Sequence, residues 1–430
     1  MPSLIFAGSI LFAIWIAIKK QIPPISTYGI FLAFTLLYNV TPFLANRLDL
    51  SVAPLLADND VISTQLLLAA SAIVCFGLVF LFGFSRVKFT ARQKTIAVAR
   101  RRNYVVLALP LFLVTCILCA KYGWHAYSAA VDFEDESLGG GLFTLTAYVK
   151  YCFVAVYIYY LYRFDFDKWA SILLGENVVV MAIDGGRTTV FPIILLTIMI
   201  VYDKSTERKT RRKIYMGLVL AVCVSILVRS VIVQGDSLLL KLVIPIGVEG
   251  MMGAYPSLQS IYAVRSIPHP AFTYGISYLL DPIMWLLPQA DLREKFSFLQ
   301  GWSRHILPVL PDRQFAPMGG FYYLAESIAA FSYLGPALVT TCFALALVSI
   351  ERMKNKHRLF YFVWTSTIGI LFVKTIFGNV FKLFVIQSIA VMICLAGTKL
   401  WTGVRVTCRT NSQAFPGDSL GLRVDRPDVP

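Results

Sequence analysis

Charge is scarce in this chain. Only 15% of its 430 residues are Asp, Glu, Lys or Arg, against 57% hydrophobic residues, well outside the soluble average. Two or three water-exposed globular domains would need more charge than this, so a soluble multidomain protein is excluded. The long mixed segment 234–334 has no cysteine. All eight cysteines, Cys75, Cys116, Cys119, Cys152, Cys223, Cys342, Cys394 and Cys408, fall in apolar stretches or the tail, which argues against a disulfide framework. Cys116 and Cys119 form a C-x-x-C inside the apolar run 104–120, with no second pair or histidines to complete a metal site. They read as buried bystanders. Gly-rich P-loop, H-E-x-x-H and G-x-S-x-G patterns are absent too, so no motif marks a nucleotide, zinc-protease or α/β-hydrolase site.

What fills the sequence instead is apolar runs near bilayer length, at residues 2–18, 26–45, 63–84, 104–120, 142–162, 169–183, 188–203, 214–233, 335–350, 359–376 and 383–398. The net charge of +15 would suggest nucleic acid in a soluble protein. Here the basic clusters sit between apolar runs. Stretches 19–25, 85–103, 163–169, 204–213, 351–358 and the tail 399–430 hold 26 of the 39 Lys and Arg residues, whereas 46–62, 121–141, 184–187 and 377–381 hold at most one each. The two sets alternate without a parity error. The positive-inside rule then predicts an N-terminus outside and a C-terminus in the cytoplasm, with anionic lipid headgroups attracted to the basic side and no nucleic-acid partner.

The expected fold class is an all-α polytopic membrane protein of about eleven transmembrane helices, with residues 1–400 as one membrane domain and 401–430 as a disordered cytoplasmic tail. Residues 1–18 lack a basic leader and precede Lys19-Lys20, the reverse of signal-peptide order, so they read as a retained first helix. The sixth run is short, about 22 Å, and contains Glu176 and Asn177, which leaves a tilted or re-entrant segment open. Segment 234–334 is rich in aromatics, Gly and Pro. Its mixed stretches 238–246 and 321–331 predict interfacial helices that lie along the outer membrane surface and cap a cavity.

Charges on the outer side or inside apolar runs are few enough to weigh singly. Asp184-Gly185-Gly186-Arg187 ends the sixth run. Two glycines there let backbone approach a ligand, and Arg187 offers a planar charged fork; an ordinary turn with an interfacial anchor is the competing reading. Arg229 lies about one turn inside the outer end of the eighth run, a depth that snorkelling explains more readily than a ligand role. Most of the loop charges, Lys241, Glu249, Arg265, His269, Asp281 and Arg293 among them, read as solvated. Arg304-His305 and Asp312-Arg313 stand out because they precede the Ala316-Pro317-Met318-Gly319-Gly320 break and the aromatic stretch holding Glu326. Two D-x-D patterns, Asp58/Asp60 and Asp165/Asp167, lack a nucleotide-binding domain around them and read as chance.

From Asp184-Gly-Gly-Arg187 to Pro308-Val-Leu-Pro311, Ala316-Pro-Met-Gly-Gly320, Glu326 and Leu334-Gly335, the pattern resembles the Wzy-type oligosaccharide repeat-unit polymerases of O-antigen and capsule synthesis. The resemblance covers the architecture of most of the chain, but its sequence-specific part spans about 150 residues. It implies a metal- and cofactor-independent glycosyltransferase in the bacterial inner membrane. Its substrates would be polyprenyl-diphosphate-linked oligosaccharides, joined at the periplasmic face, with a chain-length regulator as a possible partner. Arginine can stabilise a departing diphosphate by bidentate hydrogen bonding: Arg187, Arg265 and Arg304 are the first candidates, Arg313 and Arg229 the reserves. Glu326, and after it Asp184 or His305, are the candidates for accepting the proton of the attacking hydroxyl. A lipid-linked oligosaccharide flippase or transporter and the O-antigen ligase are the alternatives; a transporter should show pseudo-symmetric halves, whereas here one outward segment dominates the second half.

This topology places Lys209 in the cytoplasm and Gln300 in the periplasm. Compartment-specific reporters fused at the two positions should report opposite sides, and activity of the same reporter at both would reject the scheme.

Overall fold

The computed structural model describes residues 1–47, 54–89, 98–123, 140–184, 190–204, 238–266, 275–286, 306–310, 322–375 and 377–412, and every regular element among them is helical. The α-helices are α1 (Pro2–Lys19), α2 (Thr27–Arg47), α3 (Pro54–Ala57), α4 (Asn59–Gly83), α5 (Val98–Leu118), α6 (Gly140–Phe164), α7 (Lys168–Asp184), α8 (Val190–Lys204), α9 (Leu238–Ser266), α10 (Ile276–Leu286), α11 (Tyr323–Phe331), α12 (Gly335–Met353), α13 (Arg358–Trp364) and α14 (Phe377–Ser412). Among the described residues, six segments are long and apolar enough to cross a bilayer: Pro2–Lys19, Thr27–Arg47, Asn59–Gly83, Arg101–Lys121, Tyr323–Met353 and Phe377–Gly397. This is an α-helical membrane protein. Helices suit that solvent because each satisfies its own backbone hydrogen bonds, and exposed side chains such as Leu4, Leu11, Phe82, Leu113 and Ile117 suit contact with lipid.

Helix α4 packs most extensively against α1 and α12 and also meets α2 and α9; α5, α6 and α7 pack together, and α14 joins α6 to α10. Lipid tails are as apolar as leucine, so close packing rather than water exclusion must hold such helices together. Aromatic rings supply much of it. Phe31 stacks on Phe76 with ring centroids 4.0 Å apart, and Phe343 stacks on Phe372 at the same distance. Where α9 crosses α2, Gly250 and Gly253 admit the partner helix: a Cβ on either would overlap Thr41 or the Tyr38 ring.

Of the two stretches expected to lie along a membrane surface, 321–331 is packed inside the protein, while for 238–246 the side-chain surroundings lie outside the described residues. The second half of α9 buries Ala254, Ser257, Leu258, Gln259, Ser260 and Ile261 completely, and α11 buries every residue from Tyr323 to Ala330. The sixth run forms the helix α7, and α14 continues as a helix to Ser412, within the stretch expected to be a disordered tail.

Ion pairs gather at one end of the bundle. Asp165 pairs with Arg358 and, at 2.8 Å, with Lys204; Asp167 pairs with Arg101 at 3.0 Å; Lys354 pairs with Asp203 and Glu351 at 2.8 and 2.6 Å. All these residues come from, or directly border, the connections that the charge pattern assigns to one side. Connections of the other set meet elsewhere: Arg265 donates to the Asp60 carbonyl at 3.0 Å and to Thr64, and Asn46 donates to the Leu56 carbonyl at 2.9 Å. Both D-x-D patterns have local roles. Asp58 caps α4 by accepting from the Asp60 and Val61 amides, and Asp167 caps α7 by accepting from the Trp169 and Ala170 amides, as short acidic side chains do at helix starts.

Asp165 is the hinge of the charged end: its φ of 65° turns the chain between α6 and α7 and presents the carboxylate to α8 and α13. Asp165→Asn should leave two cations facing a neutral amide. With Arg358 only 8% exposed, the expected loss is on the order of 3 kcal/mol, the low end for breaking a buried pair because Lys204 is partly solvated. A lowered thermal midpoint of the detergent-solubilised protein checks this; an unchanged midpoint would show the pair to be incidental.

Candidate functional site

The only described member of the proposed proton-accepting set with a defined side-chain environment is Glu326. It sits in the first turn of α11, a nine-residue helix enclosed by α9 and α12. The helix is held by main-chain and side-chain bonds to its neighbours. The Tyr322 amide donates to Gly253 O at 3.2 Å, the Tyr323 amide to Val373 O at 3.3 Å, and Ser260 Oγ to Ala325 O at 2.9 Å. From α2, Asn39 Nδ2 donates to the Tyr322 hydroxyl at 2.8 Å. The result is a short, fully enclosed helix with little freedom to shift its carboxylate.

Glu326 is 2% exposed. Its Oε2 accepts a 2.8 Å hydrogen bond from the Phe377 amide, the first residue of α14. A helix N-terminus presents unpaired N–H groups and the positive end of its dipole, so it holds a carboxylate oxygen well. The other oxygen, Oε1, has no hydrogen-bond partner. An unmet acceptor is costly in a helix bundle, which makes Glu326 the candidate position to weigh first.

The third wall comes from α10. Asp281, 1% exposed, lies close enough to Glu326 to interact with it electrostatically. One turn earlier, Tyr278 also interacts with Glu326, and its buried hydroxyl has no hydrogen-bond partner. The Tyr278 ring packs 5.5 Å from Phe377 and is stacked 6.3 Å from Phe331. Gly275 makes this approach possible. Its φ of +79° is left-handed, and a Cβ there would overlap the Phe331 ring. Asp281, read from sequence as one of several solvated loop charges, is therefore a buried neighbour of Glu326, and Tyr278 carried no sequence signal of its own. The hint available was the spacing of Ser277 and Asp281, four apart in an otherwise apolar stretch, which puts two polar groups on one helical face; both are 1% exposed.

Arg265 is exposed, and its guanidinium ties the end of α9 to the start of α4 through Asp60 and Thr64. Asp184 is the last residue of α7. Arg187, Arg229, Arg304, His305 and Arg313 lie outside the described residues. Glu176, in α7, has a buried Oε2 without a partner. Cys116 and Cys119 are not in a disulfide, and no group of three metal-ligating side chains occurs among the described residues. A cavity of about 20 Å³ lies at the other end of the bundle, beside Arg86, Asp203, Glu351 and Lys354. That space fits a single water molecule.

Fold and site together define a polytopic helical membrane protein with a half-satisfied carboxylate enclosed by α10, α11 and α14. No protein-family model, curated protein or solved structure matches the chain.

Replacing Glu326 with Gln separates holding from chemistry. A side-chain amide can still accept from the Phe377 amide through its oxygen, so folded protein should be recovered at near wild-type abundance, with a shift of the thermal midpoint of a few degrees at most. A collapse in abundance would make Glu326 a structural anchor.

Proposed function

We propose that this protein is a polymerase that joins polyprenyl-diphosphate-linked oligosaccharide repeat units into O-antigen or capsular polysaccharide at the periplasmic face of the bacterial inner membrane. In this reading eleven helices span the membrane, residues 234–334 lie largely on the periplasmic side, and the C-terminus is cytoplasmic. The observation that carries the proposal is Glu326: a carboxylate with one oxygen held and the other unpaired, six residues beyond Gly320 of the Gly319-Gly320 break. Such a group can accept a proton without first losing a partner, as general-base catalysis requires.

The reaction it would serve transfers the growing chain. The anomeric C–O bond to the lipid diphosphate breaks and its electron pair leaves with the diphosphate. An incoming sugar hydroxyl forms the new C–O bond, and its proton passes to Glu326. Charge on the departing diphosphate falls to arginines of the outward segments, Arg187 and Arg304 first, with Arg313 and Arg229 as reserves. Arg265 fits that role less well because its guanidinium already bonds Asp60 and Thr64.

Deleting the gene should leave single repeat units on the lipopolysaccharide core. Loss of all units would indicate the ligase, and accumulation of units on the cytoplasmic side a flippase. Within the polymerase reading, Glu326→Gln should lower polymer formation roughly 10²- to 10⁴-fold, the usual cost of losing a general base. Arg187→Lys should impair the enzyme and Arg187→Ala more so, because lysine keeps the charge but not the two-pronged donor. Full-length polysaccharide from Arg187→Lys would reduce Arg187 to an interfacial anchor.

A further inference from the structure

Two polar groups without hydrogen-bond partners border the same residue, Phe377, and they are chemically complementary. Glu326 Oε1 is an acceptor without a donor, and the Tyr278 hydroxyl is a donor without an acceptor. A sugar hydroxyl is both. We propose that Tyr278 completes an acceptor site with Glu326: a single incoming sugar hydroxyl donates its proton to Glu326 Oε1 and accepts from the Tyr278 O–H. This inference rests on the polymerase reading and assigns α10 a part in it.

The chemistry balances without another reactant. A hydroxyl oxygen has two lone pairs. Tyr278 occupies one and thereby fixes the direction of the other, which forms the new bond to the anomeric carbon as the O–H proton moves to Glu326. Tyr278 keeps its own proton throughout, so it is a positioning residue for the nucleophile. The electrostatics favour a neutral group here over the diphosphate. Asp281 places a second acid close enough to Glu326 to interact with it, which disfavours an anion beside Glu326 relative to a neutral hydroxyl.

The rings fix where the Tyr278 hydroxyl lies. Stacking on Phe331 and packing on Phe377, whose amide holds Glu326 Oε2, set tyrosine and glutamate in register through the same residue. Phenylalanine at 278 preserves the ring contacts and removes only the hydroxyl.

The test uses full-length protein reconstituted in liposomes. Lipid-linked polymer is the donor at fixed concentration, and lipid-linked single units from a strain deleted for the gene are the titrated acceptor. Tyr278→Phe should raise the acceptor KM by roughly 3- to 10-fold, the worth of one neutral hydrogen bond, with donor KM and protein abundance unchanged. Tyr278→Leu, which also loses the ring, controls for packing and should lower the thermal midpoint where Tyr278→Phe does not. An acceptor KM that stays at the wild-type value in Tyr278→Phe overturns the acceptor site while leaving the polymerase intact, as does an equal rise in donor and acceptor KM. Wild-type protein that links no units overturns the polymerase reading and this inference with it.

Discussion

Inside lipid there is no water to satisfy a polar group, so every N–H, carbonyl and charged side chain that enters the bundle must find its partner within the protein. The arrangement of this molecule follows from that constraint. Helices satisfy the backbone; aspartates at the starts of α4 and α7 satisfy the first amides; and the charges that cannot be left in an apolar medium are drawn to the ends of the helices. Glu326 is the exception that the same rule makes conspicuous, since half of it is satisfied by the first amide of α14 and half is not.

The two ends of the bundle meet the constraint in opposite ways. At the end bearing Asp165, Asp167, Asp203 and Glu351, each of these carboxylates has a lysine or arginine within salt-bridge distance. Buried pairs of this kind contribute little net stability but strongly resist removal of one partner, so they lock α6, α8, α12 and α13 into one arrangement. At the other end, Glu326 is held by a helix-terminal amide and packed among aromatic rings, with Asp281 close enough to interact with it. One end is built to be static; the other holds an uncompensated acceptor, which is the condition for binding something polar.

Much of the helical architecture is legible in the sequence because lipid imposes a length on each crossing and a sign on each connection. The alternation of basic and non-basic connections anticipates which ones meet: Lys88 with Asn355, and Arg101 with Asp167, join segments far apart in the chain but on the same predicted side. The interior of the segment 234–334 is not legible in this way. Helix α9 carries Gly250, Gly253, Ser257, Gln259 and Ser260, residues that depress hydropathy and suggest a surface. Small and hydrogen-bonding side chains are also what helices use to approach each other closely in lipid, and only the positions of α2 and α11 decide between the two uses.

The candidate site shows the same division at the scale of single residues. Glu326 can be picked out because a lone carboxylate in an aromatic, apolar stretch is expensive wherever it lands. Asp281 and Tyr278 cannot, because their meaning comes from Phe377, roughly a hundred residues further along the chain, whose amide fixes the glutamate and whose ring fixes the tyrosine. A residue that spans two such contacts joins separately unremarkable positions into one chemical unit, and no local pattern in either segment records it. The arginines proposed for the diphosphate differ again: a fork of donors serves a helix tie, a lipid anchor or a phosphate equally well, as Arg265 illustrates, so residue type by itself assigns none of them.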